Sequence, residues 1–227
     1  MAVKLSVDES KTNAKVLLVD DHPLIRQGLG QLINQELGLE VCGEAEEASQ
    51  ALKTIAALKP DIVVLDLSLK GMNGLELLKI LKSRYPKMPV LVLSMHEESL
   101  YAERSLRAGA RGYIMKQEGT EKVVTAIRKV LSGEIYVSEN LTNRMLSRLA
   151  DHPMDGANSP LESLSDRELE VFQLIGQGMG TRQIADKLCI SIKTVESYRE
   201  HIKQKLKLKN SVELVHQAVH YFREEKS

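Results

Sequence analysis

Aromatic residues are scarce in this chain: no tryptophan, two phenylalanines and six tyrosines among 227 residues. Its core is therefore left to aliphatic side chains, and a 43% hydrophobic content is enough for one large domain or two small ones. Cysteine is nearly absent, and Cys42 and Cys189 lie far apart. That excludes a disulfide scaffold and a cysteine-based zinc site. Both read as small buried hydrophobes, because the sequence shows neither a redox partner nor an activating environment. Long apolar runs are missing too. The strongest (VLLV, IVVL, VLVL) are four residues each, far below the roughly 20 a membrane span needs. The opening MAVKLSVDESKTNAK lacks the apolar stretch of a secretory signal, so the chain reads as soluble and cytoplasmic, with no membrane partner.

An excess of either charge is the last absence, with 31 Lys+Arg against 31 Asp+Glu. The balance is not uniform. Residues 1–138 carry 18 of each sign, whereas 182–209 carry eight basic against three acidic side chains, a local +5. An anionic partner is expected for that part alone.

Two grammars divide the chain. Residues 15–132 alternate short apolar runs with helical patterns. KVLLVD (15–20), EVCGEA (40–45), DIVVLDL (61–67), PVLVLS (89–94) and RGYIM (111–115) read as strands buried on both faces of a parallel sheet. Helix-length segments near 24–35, 47–58, 74–84, 98–107 and 120–132 separate them. Five such repeats predict an α/β doubly wound sheet with right-handed crossovers. From about residue 161 the strand signals stop, and 164–178, 181–188, 191–206 and 211–222 read as four amphipathic helices. Ser165 with Glu168 three residues on is a capping-box pattern. Residues 139–150 read as one short helix, DHPMDGANSP (151–160) as a linker, and 1–14 as a tail.

The chemistry lies at strand ends. Asp20 and Asp21 follow the first strand and Asp66 ends the third, all on the edge where parallel sheets bind ligands. Three converging carboxylates repel unless a cation is bound, and Mg²⁺ suits oxygen donors. Ser94 after the fourth strand and Lys116 after the fifth come from the same edge. Carboxylates, metal, hydroxyl and ammonium together make a site for a transferring phosphoryl group, attacked by an Asp carboxylate. Each element alone has an ordinary structural reading, as a helix cap or a surface lysine; the ordered series of all of them rarely arises by chance.

VLLVDDHPLIRQGL, PDIVVLDLSLKGMNGLELL, VLVLSMHEE and GARGYIMK resemble the receiver domain of bacterial two-component response regulators across essentially all of 15–132. The resemblance implies a flavodoxin-like five-stranded sheet, Asp66 as phosphoacceptor, and Mg²⁺ held by Asp20, Asp21, Asp66 and the backbone oxygen of Ser68. Ser94 would hydrogen-bond the phosphoryl group and Lys116 would pair with it. Tyr113 matches the family's switch aromatic, which turns inward when the hydroxyl residue moves; the alternative is an ordinary edge-strand tyrosine. Gln117 and Lys70 stand where many receivers have proline, leaving open the loop geometry and the phosphoryl lifetime, which Ser68 and His96 could tune. His96 itself reads as a solvated loop histidine.

In the second half, TRQIADKLCISIKTVESYREHIKQKL has the layout of a helix-turn-helix with its connection around Cys189–Ser191. Val195, Tyr198, Ile202 and Leu206 form one buried stripe, and the opposite face carries Lys193, Glu196, Ser197, Glu200 and Gln204. That face, with Thr194 beside it and Arg199, Lys203, Lys207 and Lys209 along its edges and beyond its end, is the expected DNA contact. From charge and periodicity alone, an all-helical interaction domain stays open. Residues 164–208 closely resemble the LuxR-type four-helix DNA-binding domain, and with the receiver the chain resembles a NarL/FixJ-type response regulator. Glu196 and Glu200 sit where some relatives place lysine, and either read a base or lower non-specific affinity. Val212, Val215, Val219 and Phe222 would dimerise as the family's last helix does, or pack onto their own domain.

The expected organisation is a tail (1–14), receiver (15–135), helix and linker (136–160) and DNA-binding domain (161–227). The expected function is a regulator, not an enzyme beyond its own phosphorylation. A sensor histidine kinase or small phosphodonor loads Asp66, and the homodimer then binds paired half-sites in double-stranded promoter DNA. Two rivals remain: a phosphohydrolase with an Asp nucleophile, and a DNA-binding module that ignores phosphorylation.

Overall fold

The computed structural model describes residues 13–150 and 160–224, so the tail and linker expectations fall almost wholly outside the described residues. Five strands, β1 (Ala14–Val19), β2 (Leu39–Ala45), β3 (Ile62–Leu65), β4 (Val90–Ser94) and β5 (Gly112–Met115), alternate with α1 (Pro23–Asn34), α2 (Ala48–Leu58), α3 (Gly74–Arg84), α4 (Glu98–Ala108) and α5 (Thr120–Leu131). All pair in parallel, in the order β2-β1-β3-β4-β5. The aliphatic runs form strands because both faces of the sheet are covered. Val16, Leu18, Ile62, Val64, Leu91, Leu93 and Ile114 share one core with Leu29 and Ile33 of α1 and Ile127 and Val130 of α5. The alternate residues Leu17, Val19, Val63, Leu65 and Val92 are equally buried.

The order places the site. The chain reverses direction of growth between β1 and β3, whose register pairs Val19 with Leu65. Their next residues, Asp20 and Asp66, therefore emerge side by side, and the Asp66 N–H donates to Val19 O at 2.8 Å. On the other side Ser94 pairs with Met115, and the Lys116 N–H donates to Ser94 O at 2.8 Å. Gly74 keeps the turn after β3 tight. A Cβ there would lie 2.5 Å from Leu67 Cα and 2.6 Å from Asp66 O, so a larger residue would displace the strand end that carries Asp66.

After α5 the chain returns to the sheet edge, where Tyr136 accepts from the Tyr113 N–H and donates to Arg111 O. Ser138 then caps α6 (Glu139–Ala150), and Glu98 of α4 accepts from both its backbone N–H, at 3.1 Å, and its hydroxyl. These bonds explain why this compact unit runs on to Leu141.

The second unit contains α7 (Asp166–Gly176), α8 (Thr181–Leu188), α9 (Ile192–Lys205) and α10 (Ser211–Glu224). Leu169, Val171, Phe172 and Ile175 of α7, Ile184 and Leu188 of α8, Val195 and Ile202 of α9, and Leu214 and Ala218 of α10 make its core. Ser165 closes the capping box anticipated for α7, its N–H donating to Glu168 Oε2 at 2.7 Å. Among the described residues no helix is long and apolar enough to cross a membrane.

Candidate functional site

At the sheet edge, the Lys116 ammonium lies 2.6 Å from Asp20 Oδ2 and 2.7 Å from Asp66 Oδ2. All three side chains are almost wholly shielded from solvent. Burial raises the Asp66 carboxyl above its ordinary value; Lys116 opposes that and Asp20 adds to it. Burial works against the charge on Lys116, but the two carboxylates outweigh it and hold the ammonium above its ordinary value. One cation among three acids leaves the cluster short of positive charge. Asp66 Oδ1 and Asp21 Oδ1 are both buried and accept no hydrogen bond. Oxygens in that condition are costly unless something else binds them.

Asp20, Asp21, His22 and Asp66 each offer a ligand atom within 4.8 Å of the others, the one such group among the described residues. The donor set, hard and oxygen-rich with two unsatisfied oxygens, fits a divalent cation. Ser68, two residues after Asp66, is half-buried, its hydroxyl 3.0 Å from His96 Nε2.

The hydroxyl and aromatic residues also converge. Ser94 is fully buried and its Oγ accepts from the His96 N–H at 3.3 Å. Tyr113 points inward, 1% exposed, and its hydroxyl donates to His96 O at 2.8 Å. Burial first, then the charges around it, pushes its phenol well above the ordinary value. His96 is not the solvated loop histidine the sequence suggests. It is half-buried, bonded to Ser68, and its ring stacks on Tyr101 of α4 at 4.3 Å. Its partners are 28 residues back and five ahead, which no local pattern announces.

Arg26 escapes sequence reasoning altogether. It is buried on α1, donating to Asp20 O at 2.5 Å, Glu46 at 2.6 Å and Glu44 at 3.1 Å, and so fixes the loop bearing the two aspartates. An arginine on the apolar face of a helix is the signal that points to it, since a buried guanidinium needs partners.

In the second unit, α8 and α9 are joined through Cys189, at φ 54°, and Ser191, whose Oγ accepts from the Thr194 N–H at 3.0 Å. Cys189 is exposed and Cys42 only half-buried, correcting the expectation of buried thiols: Cys189 lies in the turn between α8 and α9, and Cys42 on β2, an edge strand of the sheet. Val195 and Ile202 of the anticipated stripe are buried, with Tyr198 and Leu206 half-buried. Lys193, Glu196, Ser197, Glu200, Lys207 and Lys209 are exposed; Thr194, Arg199 and Lys203 are half-buried. Glu200 is paired with Lys203 at 2.8 Å. Lys205, part of the basic series, bonds Glu168 at 2.6 Å. Burial would raise Glu168, but Lys205 and Ser165 outweigh it and hold the carboxyl below its ordinary value. On α10, Leu214 and Ala218 face the core, leaving Val212 77% and Val215 40% exposed and Val219 half-buried. The Phe222 side chain lies outside the described residues.

Residues 16–128 match the model of the response regulator receiver domain, and residues 162–218 that of the bacterial regulatory proteins of the luxR family. Oxygen regulatory protein NreC of Staphylococcus haemolyticus is 36% identical over 209 residues, covering 90% of this chain and 96% of that protein. Its Staphylococcus aureus counterpart is 37% identical over the same span. Among solved structures, RcsB of Salmonella typhimurium aligns with a TM-score of 0.67 at 25% identity, over 92% of this chain and 98% of RcsB. RcsB bound to promoter P1flhDC with the phosphomimetic BeF₃⁻ aligns at 0.64 and 26% identity, over 91% and 98%.

Proposed function

Because the chain belongs to the two-component response regulators that join a receiver to a LuxR-type DNA-binding domain, we propose that Asp66 is its phosphoacceptor and that loading it controls DNA binding through α9. The observation that carries this reading is the Lys116 ammonium clamped between Asp66 and Asp20 beside an Asp66 oxygen that is buried and unpartnered.

An Asp66 carboxylate oxygen attacks phosphorus as the bond to the donor breaks, leaving an acyl phosphate on the protein and the electron pair on the leaving group. The donor is a sensor kinase's phosphohistidine or a small phosphodonor. Mg²⁺ held by Asp20, Asp21, Asp66 and the Ser68 carbonyl would neutralise charge on the phosphoryl oxygens. Lys116 releases Asp66 Oδ2 and pairs with the new phosphoryl group. Ser94, whose Oγ accepts from the His96 N–H, gives its own hydroxyl proton to a phosphoryl oxygen. Tyr113, already inward and bonded to His96, and α4, stacked on the same ring, are the elements whose placement responds.

In the second domain, Lys193, Thr194, Glu196, Ser197, Arg199, Glu200, Lys203, Lys207 and Lys209 meet a major groove and its phosphates. The apolar residues Val212, Val215, Val219 and Phe222 on α10 serve a homodimer on paired half-sites. We place this activity in the cytoplasm, with residues 15–135 as receiver and 161–227 as DNA-binding domain.

The test is coupling. A binding sequence is selected from random duplexes, and affinity is measured with and without acetyl phosphate and Mg²⁺. Wild type is expected to tighten about tenfold or more, which is about 1.4 kcal/mol of coupling, and Asp66→Asn not at all. An equal response in both proteins would overturn the reading.

A further inference from the structure

His22 is the one member of the carboxylate cluster that the phosphoryl reading leaves without a task. It sits where α1 begins, at φ −95° and ψ 107°, and its side chain caps nothing on the helix. Its backbone N–H donates to Asp20 Oδ1 at 2.8 Å, and Pro23 follows as the first helical residue. This geometry turns the ring back over the aspartates. Nδ1 lies 3.1 Å from Asp20 Oδ1 and 2.8 Å from Asp21 Oδ1, the second without the alignment of a hydrogen bond. Its side chain is 57% exposed.

Lys116 occupies Oδ2 of both Asp20 and Asp66, Asp66 Oδ1 is buried and accepts no hydrogen bond, and Asp20 Oδ1 and Asp21 Oδ1 both lie against the imidazole nitrogen. One ligand atom from each of Asp20, Asp21, His22 and Asp66 lies within 4.8 Å of the others. Opposite ligands of an octahedral ion with bonds of about 2.1 Å lie about 4.2 Å apart, so closing by about 0.6 Å gathers them around one centre. A purely oxygen site suits Mg²⁺, which takes nitrogen poorly. Adding an imidazole raises affinity for first-row transition dications, along the series that starts at Mn²⁺.

We propose that His22 is a nitrogen ligand of this metal site, giving it a preference for transition dications over Mg²⁺ that carboxylates alone would not confer. The inference rests on Asp20, Asp21 and Asp66 being the metal site.

The test uses the full chain and two probes, Mn²⁺ and Mg²⁺. Electron spin-echo modulation of the Mn²⁺-loaded wild type is expected to show a directly bound nitrogen, absent in His22→Ala. By calorimetry the ratio of Mn²⁺ to Mg²⁺ affinity is expected to fall about tenfold in His22→Ala, while Mg²⁺ affinity holds or tightens as an imidazole near the ion is removed. Mn²⁺ bound with no nitrogen coupling in wild type, or an unchanged ratio, overturns the role of His22 and leaves it a hydrogen-bond partner of Asp20. Failure of both ions to bind wild type, or binding undisturbed by Asp21→Asn and Asp66→Asn together, overturns the metal site itself. The wild-type spectrum decides the matter even where a variant does not fold.

Discussion

Lys116→Met is expected to destabilise the metal-free protein by about 3 kcal/mol, the size of effect seen when one partner of a buried ion pair is removed. The methionine fills the space of the lysine stem but leaves Asp20 and Asp66 facing each other with no cation between them. Millimolar Mg²⁺ is expected to recover most of that loss and to raise the melting temperature of the variant more than that of wild type, because the ion then supplies the missing charge. The pH dependence follows from the same carboxylates. A carboxyl held above its ordinary value by burial binds its proton more tightly folded than unfolded, so it destabilises the fold above its folded value; that penalty shrinks as pH falls through the folded value and is gone below the unfolded one. Acidification through the folded and then the unfolded value of Asp66 should therefore narrow the gap between variant and wild type. Thermal melts with and without Mg²⁺ across that range check both points; a variant as stable as wild type without metal would contradict the account of the site.

The second large effect concerns DNA. Lys193, Lys207 and Lys209 are exposed, and Lys207 and Lys209 lie just beyond the end of α9. Changing all three to alanine is expected to flatten the slope of log affinity against log salt by about 3, at roughly 0.9 for each phosphate no longer neutralised. Affinity at physiological salt falls with it, on every duplex alike. Lys205→Ala is the control. Its ammonium holds the Glu168 carboxylate that closes the α7 capping box, so the change should lower the melting temperature of the second unit and leave the salt slope in place. A slope that moves with Lys205 and not with the other three would reverse the assignment.

Much of this is legible in residues alone. VLLV, IVVL and VLVL announce strands because a sheet covered on both faces tolerates no polar alternation. The order of two aspartates, one aspartate, a serine and a lysine at successive strand ends is legible because a parallel sheet sends every strand end to one edge. Interactions between distant loops are not. His96 looks like any loop histidine until folding brings Ser68 to its Nε2 and Tyr101 beneath its ring. Lys205 belongs to a basic run by composition, yet its partner on α7 is 37 residues away. Cys189 misleads because its residue type is usually buried, whereas its left-handed turn between α8 and α9 holds it at the surface. Propensity and periodicity report on neighbours in the chain; these outcomes depend on neighbours in space.

Intact mass tests the central claim most directly. Wild type and Asp66→Asn are incubated with acetyl phosphate and Mg²⁺, then with the same donor and excess chelator. One phosphoryl adduct is expected on wild type with Mg²⁺, and none on wild type with chelator or on Asp66→Asn in either condition. A beryllofluoride-binding control separates fast loss of the group from failure to accept it. An adduct on Asp66→Asn equal to that on wild type, or a wild type that takes neither phosphoryl nor beryllofluoride, would contradict that claim.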